Sequence, residues 1–202
     1  DGDGRLDLIA VYIRRPLETT QGMRVPAIYV ANPYMLECNE DWYVPHDVDR
    51  DVSPYPQQHI TESDITFDPS TVSFPQPRYP RATIGYADTA PTEEIPLDCI
   101  SDWYSYFNSR GYASVFCGGL GTRGSQGFNC CGSPEETAAF KAVIDWLNGR
   151  CRAFTNLTDN IEIRADWCTG KVAMSGKSYL GTMCIAVAST GVEGLETIIP
   201  EA

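Results

Sequence analysis

Ten of the chain's 14 prolines fall between Pro33 and Pro96, and this clustering divides the chain before any periodicity is considered. Proline fixes φ and has no N–H to donate, so neither a helix nor a central strand can run through such a stretch. Regular structure must come from the residues before and after it. With 202 residues the chain is long enough for one domain with its own core. The expectation is a single domain over 1–202, carrying an irregular insertion over about 35–97. A connection this long in a compact domain is usually functional or an interaction arm. Both histidines, His46 and His59, lie in it.

The flanks read as alternating strands and helices. Leu6 to Ile13 is rich in β-formers, and Val25 to Ala31 is a continuous apolar run of the kind that fills a strand covered on both faces. Asp98 to Arg110 has helical spacing in Ile100, Trp103, Tyr104 and Phe107, and stops at Gly111. Tyr112 to Cys117 is a strand, followed by a glycine-rich loop from Gly118 to Gly127. Ser133-Pro134-Glu135-Glu136 is a capping box with proline at the first helical position. It opens a helix with the apolar face Ala139, Phe140, Val143, Ile144 and Leu147. Lys171 to Ser175 reads as a strand, Tyr179 to Ser189 as a helix and Leu195 to Ile199 as a strand. This alternation predicts an α/β fold, a mostly parallel sheet with helices on both faces.

Charge and composition narrow the partners. Fifteen Lys and Arg stand against 27 Asp and Glu, a formal charge of −12 without a basic stripe, which argues against nucleic acid and anionic membranes. No run approaches the roughly 18 apolar residues that span a bilayer. Several of the eight cysteines sit in apolar runs (Cys117 and Cys184), where a small buried hydrophobe is the simplest reading. There is no C-x-x-C, so the expectation is unpaired thiols in a reducing, cytoplasmic compartment and no metal site. The sequon Asn156-Leu157-Thr158 then reads as accidental.

Chemistry concentrates at Val172-Ala173-Met174-Ser175-Gly176-Lys177-Ser178-Tyr179-Leu180-Gly181. A strand runs into Gly176, then Ser178, then a helix, the layout of a nucleophile elbow. Such a turn lifts a serine Oγ above the sheet edge and aims helix N–H groups at an oxyanion. The simple pattern places glycine two residues after the serine, where this chain has Leu180, with Gly181 one position later. A serine capping an ordinary packed helix is the alternative. Gly119-Leu120-Gly121-Thr122-Arg123-Gly124 matches G-x-G-x-x-G after a strand, but the next helix starts only near Pro134, too far on to hold a pyrophosphate. A tight loop at the carboxyl edge of the sheet is the default there.

Gly176-Lys177-Ser178-Tyr179-Leu180-Gly181 resembles the G-x-S-Y-x-G elbow of the serine hydrolases that group Xaa-Pro dipeptidyl-peptidases with cocaine-esterase-like acyl hydrolases. The shifted glycine is normal in that pattern. Asn32-Pro33-Tyr34, Gly111-Tyr112-Ala113, Thr122-Arg123-Gly124-Ser125 and Trp167-Cys168 are similar as well. Gly119 to Gly127, Val143 to Arg150, Gly170 to Thr182 and Gly191 to Glu196 look most like the bacterial Xaa-Pro dipeptidyl-peptidases. The resemblance covers nearly the whole chain and is thin from Cys38 to Pro96. It implies an α/β-hydrolase fold and a serine exopeptidase acting on proline-containing peptides without a cofactor, with a homodimer possible. By position it implies Ser178 as nucleophile, with the Tyr34 hydroxyl and the Tyr179 backbone N–H as oxyanion donors. Lys177 reads as a solvated or salt-bridged side chain rather than a second catalytic group.

In this fold the triad runs serine, acid, histidine along the chain. Residues 179–202 contain neither aspartate nor histidine, and the two histidines upstream are in the wrong order. The chain is therefore expected to be the N-terminal part of a catalytic domain, incomplete as an enzyme. Two other readings stay open. One keeps the elbow with an ester or β-lactam-type amide as substrate. The other is a non-catalytic interaction module, which requires an ordinary backbone at Ser178.

Overall fold

The apolar run from Val25 takes the centre of the sheet, because only a strand covered on both faces buries all of it. The computed structural model describes residues 6–34, 61, 82–90 and 101–201. In chain order the elements are β1 (Val11–Arg14), a 3-10 turn (Leu17–Gln21), β2 (Val25–Asn32), β3 (Gly85–Ala87), α1 (Ser101–Asn108), β4 (Ala113–Gly118), α2 (Pro134–Leu147), β5 (Ala153–Phe154), β6 (Ile161–Ile163), β7 (Cys168–Lys177), α3 (Tyr179–Ser189) and β8 (Leu195–Glu201). Five strands form the main sheet in the order β1-β4-β2-β7-β8. The β4-β2, β2-β7 and β7-β8 pairs are parallel, and β1 is an antiparallel edge. A small second sheet has the order β3-β6-β5.

Both faces of the main sheet are covered, as the alternation predicts. Ala27, Tyr29 and Ala31 of β2 and Ala113, Val115 and Cys117 of β4 pack with Phe140, Val143, Ile144 and Leu147 of α2 and Met183, Cys184 and Val187 of α3. The opposite face holds Val30, Phe116 and Tyr104 of α1. Each large apolar side chain so buried contributes about 1.5–3 kcal/mol. Cys117, Cys168 and Cys184 are fully buried, and burial pushes the Cys117 thiol up to about 12. The six cysteines among the described residues form no disulfide.

Two readings shift. Leu6 to Ala10 does not join the ladder, and β1 begins only at Val11. Its backbone instead pairs with the glycine-rich loop: Gln126 N–H donates to Leu8 O (2.9 Å), Leu8 N–H to Gln126 Oε1 (3.1 Å), and Ala10 N–H to Ser125 Oγ (2.9 Å). Strand propensity identified an extended segment but not its partner. Within the 35–97 insertion, 82–90 is described and contains β3, an edge strand lying in the proline-free gap between Pro80 and Pro91. Most of the insertion, with His46 and His59, and the start of the helix expected from Asp98, lie outside the described residues. Among the described residues no helix is long and apolar enough to cross a membrane.

The strand order places the site. From β2 the chain crosses to β4 on one side, then returns past β2 to β7 on the other. The reversal lies between β2 and β7, and in open α/β sheets the crevice at the carboxyl ends of such strands is where ligands bind. Tyr29 pairs with Met174, and each strand runs three residues further, to Asn32 and Lys177. The next side chains at this edge are Tyr34 and Ser178.

Candidate active site

Ser178 stands between β7 and α3 with φ 59° and ψ −123°, a conformation that side chains with a Cβ rarely adopt. Its side chain is exposed and makes no capping bond to α3. The backbone is secured on both sides instead. Ser178 N–H donates to Glu201 O of β8 (2.9 Å), and Ser178 O accepts from Thr182 N–H (3.0 Å). An ordinary helix-capping serine has extended backbone and spends its hydroxyl on the first turn; Ser178 has neither property. Nor does it have the ordinary backbone that a non-catalytic module requires.

Glycine is needed at two positions beside it. A Cβ on Gly176 would lie 2.5 Å from Leu180 Cβ and 2.6 Å from Leu180 C. A Cβ on Gly181 would lie 2.6 Å from Glu201 O and 2.9 Å from Gly176 O. Here is the physical reason for the shifted glycine. The position facing β8 is Gly181, while Leu180 packs its side chain against the Val30, Tyr104 and Phe116 cluster.

Tyr34 leaves the end of β2 in a turn held at three points. Asn32 Oδ1 accepts from Tyr34 N–H (2.9 Å), Asn32 O accepts from Gly119 N–H (2.9 Å), and Pro33 O accepts from Asn129 Nδ2 (3.0 Å). A Cβ on Gly119 would come within 3.0 Å of Pro33 Cα. The half-buried Tyr34 ring lies 6.0 Å from that of Tyr179, tilted by 59°. All three residues singled out from the sequence, Tyr34, Ser178 and Tyr179, thus meet at one sheet edge. Helix geometry leaves the Tyr179 N–H, in the first turn of α3, without an intrahelical acceptor. Lys177 is exposed beside them.

The phenol of Tyr179 donates to Glu136 Oε2, and Gly132 N–H donates to both oxygens (2.7 Å to Glu136 Oε2). Burial, the Cys131 side chain and the Glu136 carboxylate hold the Tyr179 hydroxyl well above the usual tyrosine range, so it stays a donor. Gly119, Asn129 and Glu136 were not singled out as site residues from the sequence. The glycine spacing signalled a tight loop, and nothing local indicates that its partner is the Tyr34 turn. Among the described residues no cluster of His, Cys, Asp or Glu is arranged to hold a metal. A cleft of about 410 Å³ lined by Arg15, Tyr86, Arg164 and Trp167 opens near the amino ends of β2 and β7, away from this edge.

The model of the X-Pro dipeptidyl-peptidase (S15) family matches residues 1–202. The chain belongs to that family. The Xaa-Pro dipeptidyl-peptidase of Pediococcus pentosaceus is 43% identical over 204 residues, covering 100% of this chain and 25% of that protein. That of Lacticaseibacillus casei is 42% identical over 202 residues, with the same coverage. This S15 chain spans about a quarter of the length of these curated relatives. A CocE/NonD family hydrolase from Staphylococcus aureus superposes with a TM-score of 0.52 at 16% identity, over 96% of this chain and 24% of that one. That likeness is one of fold, and it agrees with the mostly parallel α/β sheet expected from the strand–helix alternation and with the α/β-hydrolase fold that the resemblance implies.

Proposed function

We propose that this chain is the N-terminal part of the catalytic domain of a serine exopeptidase that releases Xaa-Pro dipeptides from peptide N-termini. The observation that carries the reading is the exposed Ser178 hydroxyl, uncapped and on strained backbone, at the reversal point of the sheet in an S15 family member. Ser178 Oγ attacks the carbonyl carbon that follows proline, and the Tyr179 N–H and Tyr34 hydroxyl bind the oxyanion of the tetrahedral intermediate. Collapse expels the amine of the shortened peptide and leaves an acyl-enzyme, which water hydrolyses. A serine hydroxyl needs a base. In this proposal the acid and histidine of the triad come from outside residues 1–202, a reading supported by the relatives' greater length. The chemistry needs no cofactor.

The test uses the full-length protein with an Ala-Pro anilide and a simple ester. Cleavage of the anilide, with fluorophosphonate labelling at Ser178, is expected. Ester cleavage without anilide cleavage would replace the peptidase by an acyl hydrolase. Removing one oxyanion donor costs about 2.7–4 kcal/mol in the transition state, so Tyr34→Phe should lower kcat about 100-fold or more. An unchanged rate removes Tyr34 from the mechanism.

A further inference from the structure

In a reciprocal capping box, the serine at the N-cap accepts from the backbone N–H three residues on, and the glutamate there reaches back to the N-cap N–H. Only the first half forms in α2. Ser133 Oγ accepts from Glu136 N–H at 3.1 Å, but Ser133 N–H donates to Cys130 O at 2.9 Å. The Glu136 side chain, only 1% exposed, turns instead to Gly132 N–H and to the phenol of Tyr179, 43 residues away. A buried carboxylate persists only where hydrogen bonds replace its water. Here one of those bonds comes from the residue directly after Ser178.

We propose that Glu136 is a positioning residue for the nucleophile: by gripping the Tyr179 phenol it pins the first turn of α3, and so holds both the Ser178 backbone and the Tyr179 N–H where the reaction needs them. The inference rests on Ser178 being the nucleophile. A residue at φ 59° and ψ −123° keeps that conformation only where its surroundings over-determine it. Ser178 is tied to β8 through Glu201 O, and Glu136 supplies a second, independent tie through α2. Glu136 does not touch the substrate in this scheme and acts only through Tyr179.

The test compares wild type, E136Q, Y179F, the E136Q/Y179F double variant and S178A in the full-length protein, with kinetics on an Ala-Pro anilide and the rate of fluorophosphonate labelling at Ser178. A small displacement of reacting groups costs up to 100-fold, so each single variant should lower kcat about 10-fold with KM within about twofold. Labelling should slow by the same factor. The double variant should be no slower than the worse single one, because the pair acts as one unit. If E136Q fails to fold, Y179F decides, since it removes one oxygen and leaves the rest of the ring. Unchanged kcat and labelling in Y179F, or fully multiplicative losses in the double variant, overturn the inference. Full activity in S178A overturns the nucleophile assignment instead, and is read separately from the other variants.

Discussion

Both α2 and α3 begin immediately after a serine, and the two junctions serve opposite ends. Ser133 has φ −76° and ψ 162°, and its hydroxyl accepts from the third helical residue. Ser178 has φ 59° and ψ −123°, and its hydroxyl is left uncapped. The first turn of α2 carries Glu135 and Glu136, which offset the positive end of the helix dipole. That of α3 carries no acid, so its field remains available to an anion formed at the edge of the sheet. One junction satisfies its own backbone, and the other leaves donors and a hydroxyl unspent. A helix start that departs from the stabilising pattern in conformation, capping and charge together supports the proposed role of Ser178.

That contrast can be broken at several points. The largest effect should come from Ser178→Ala in the full-length protein, expected to lower kcat by roughly 10⁶-fold, as removal of a serine nucleophile does elsewhere, with little change in the melting temperature. A large stability loss instead would make Ser178 a structural residue like Ser133. Next is Gly176→Ala. The new methyl would overlap the Leu180 backbone, so chemical denaturation should show a loss of about 3 kcal/mol or more. Ser133→Ala should cost about 1 kcal/mol through loss of a working cap, measured the same way. Smallest, and opposite in sign, is Ser178→Gly. Glycine adopts positive φ without strain, so this variant should gain about 0.5–1 kcal/mol while losing activity. A cost at Ser178 equal to that at Ser133 would erase the distinction between the two helix starts.

Much of this was legible before the structure. The α2 face of Ala139, Phe140, Val143, Ile144 and Leu147 is buried throughout, because period-3.6 patterning records a single neighbour on one side. Helix α3 spans Tyr179 to Ser189, the bounds its sequence pattern indicates, since Gly176 and the serine junction mark its start locally. Where local reading fell short, the partner lay far along the chain. Leu6 to Ala10 looked like strand and instead pairs with a loop some 115 residues later. Glu136 fits a capping box by spacing, yet its carboxylate accepts from the half-buried Tyr179 phenol, because the Ser133 N–H that a capping box would offer is already bonded to Cys130 O. The glycines at 118–127 marked a close approach, but not that Pro33 and the Tyr34 turn are what approaches.

The sequence by itself determined the alternation of strands and helices, the tight turn at Gly176-Lys177-Ser178 and the identity of the serine on it, because each of these is set by neighbours within a few residues. Only the tertiary structure decided that Tyr34 and Tyr179 share one edge, that Gly181 faces β8, and that the Glu136 carboxylate of α2 accepts from the phenol of Tyr179 at the start of α3. Those facts depend on which strands pair across the reversal between β2 and β7. Strand pairing is a choice among distant segments, made by the burial of the whole sheet rather than by any local pattern.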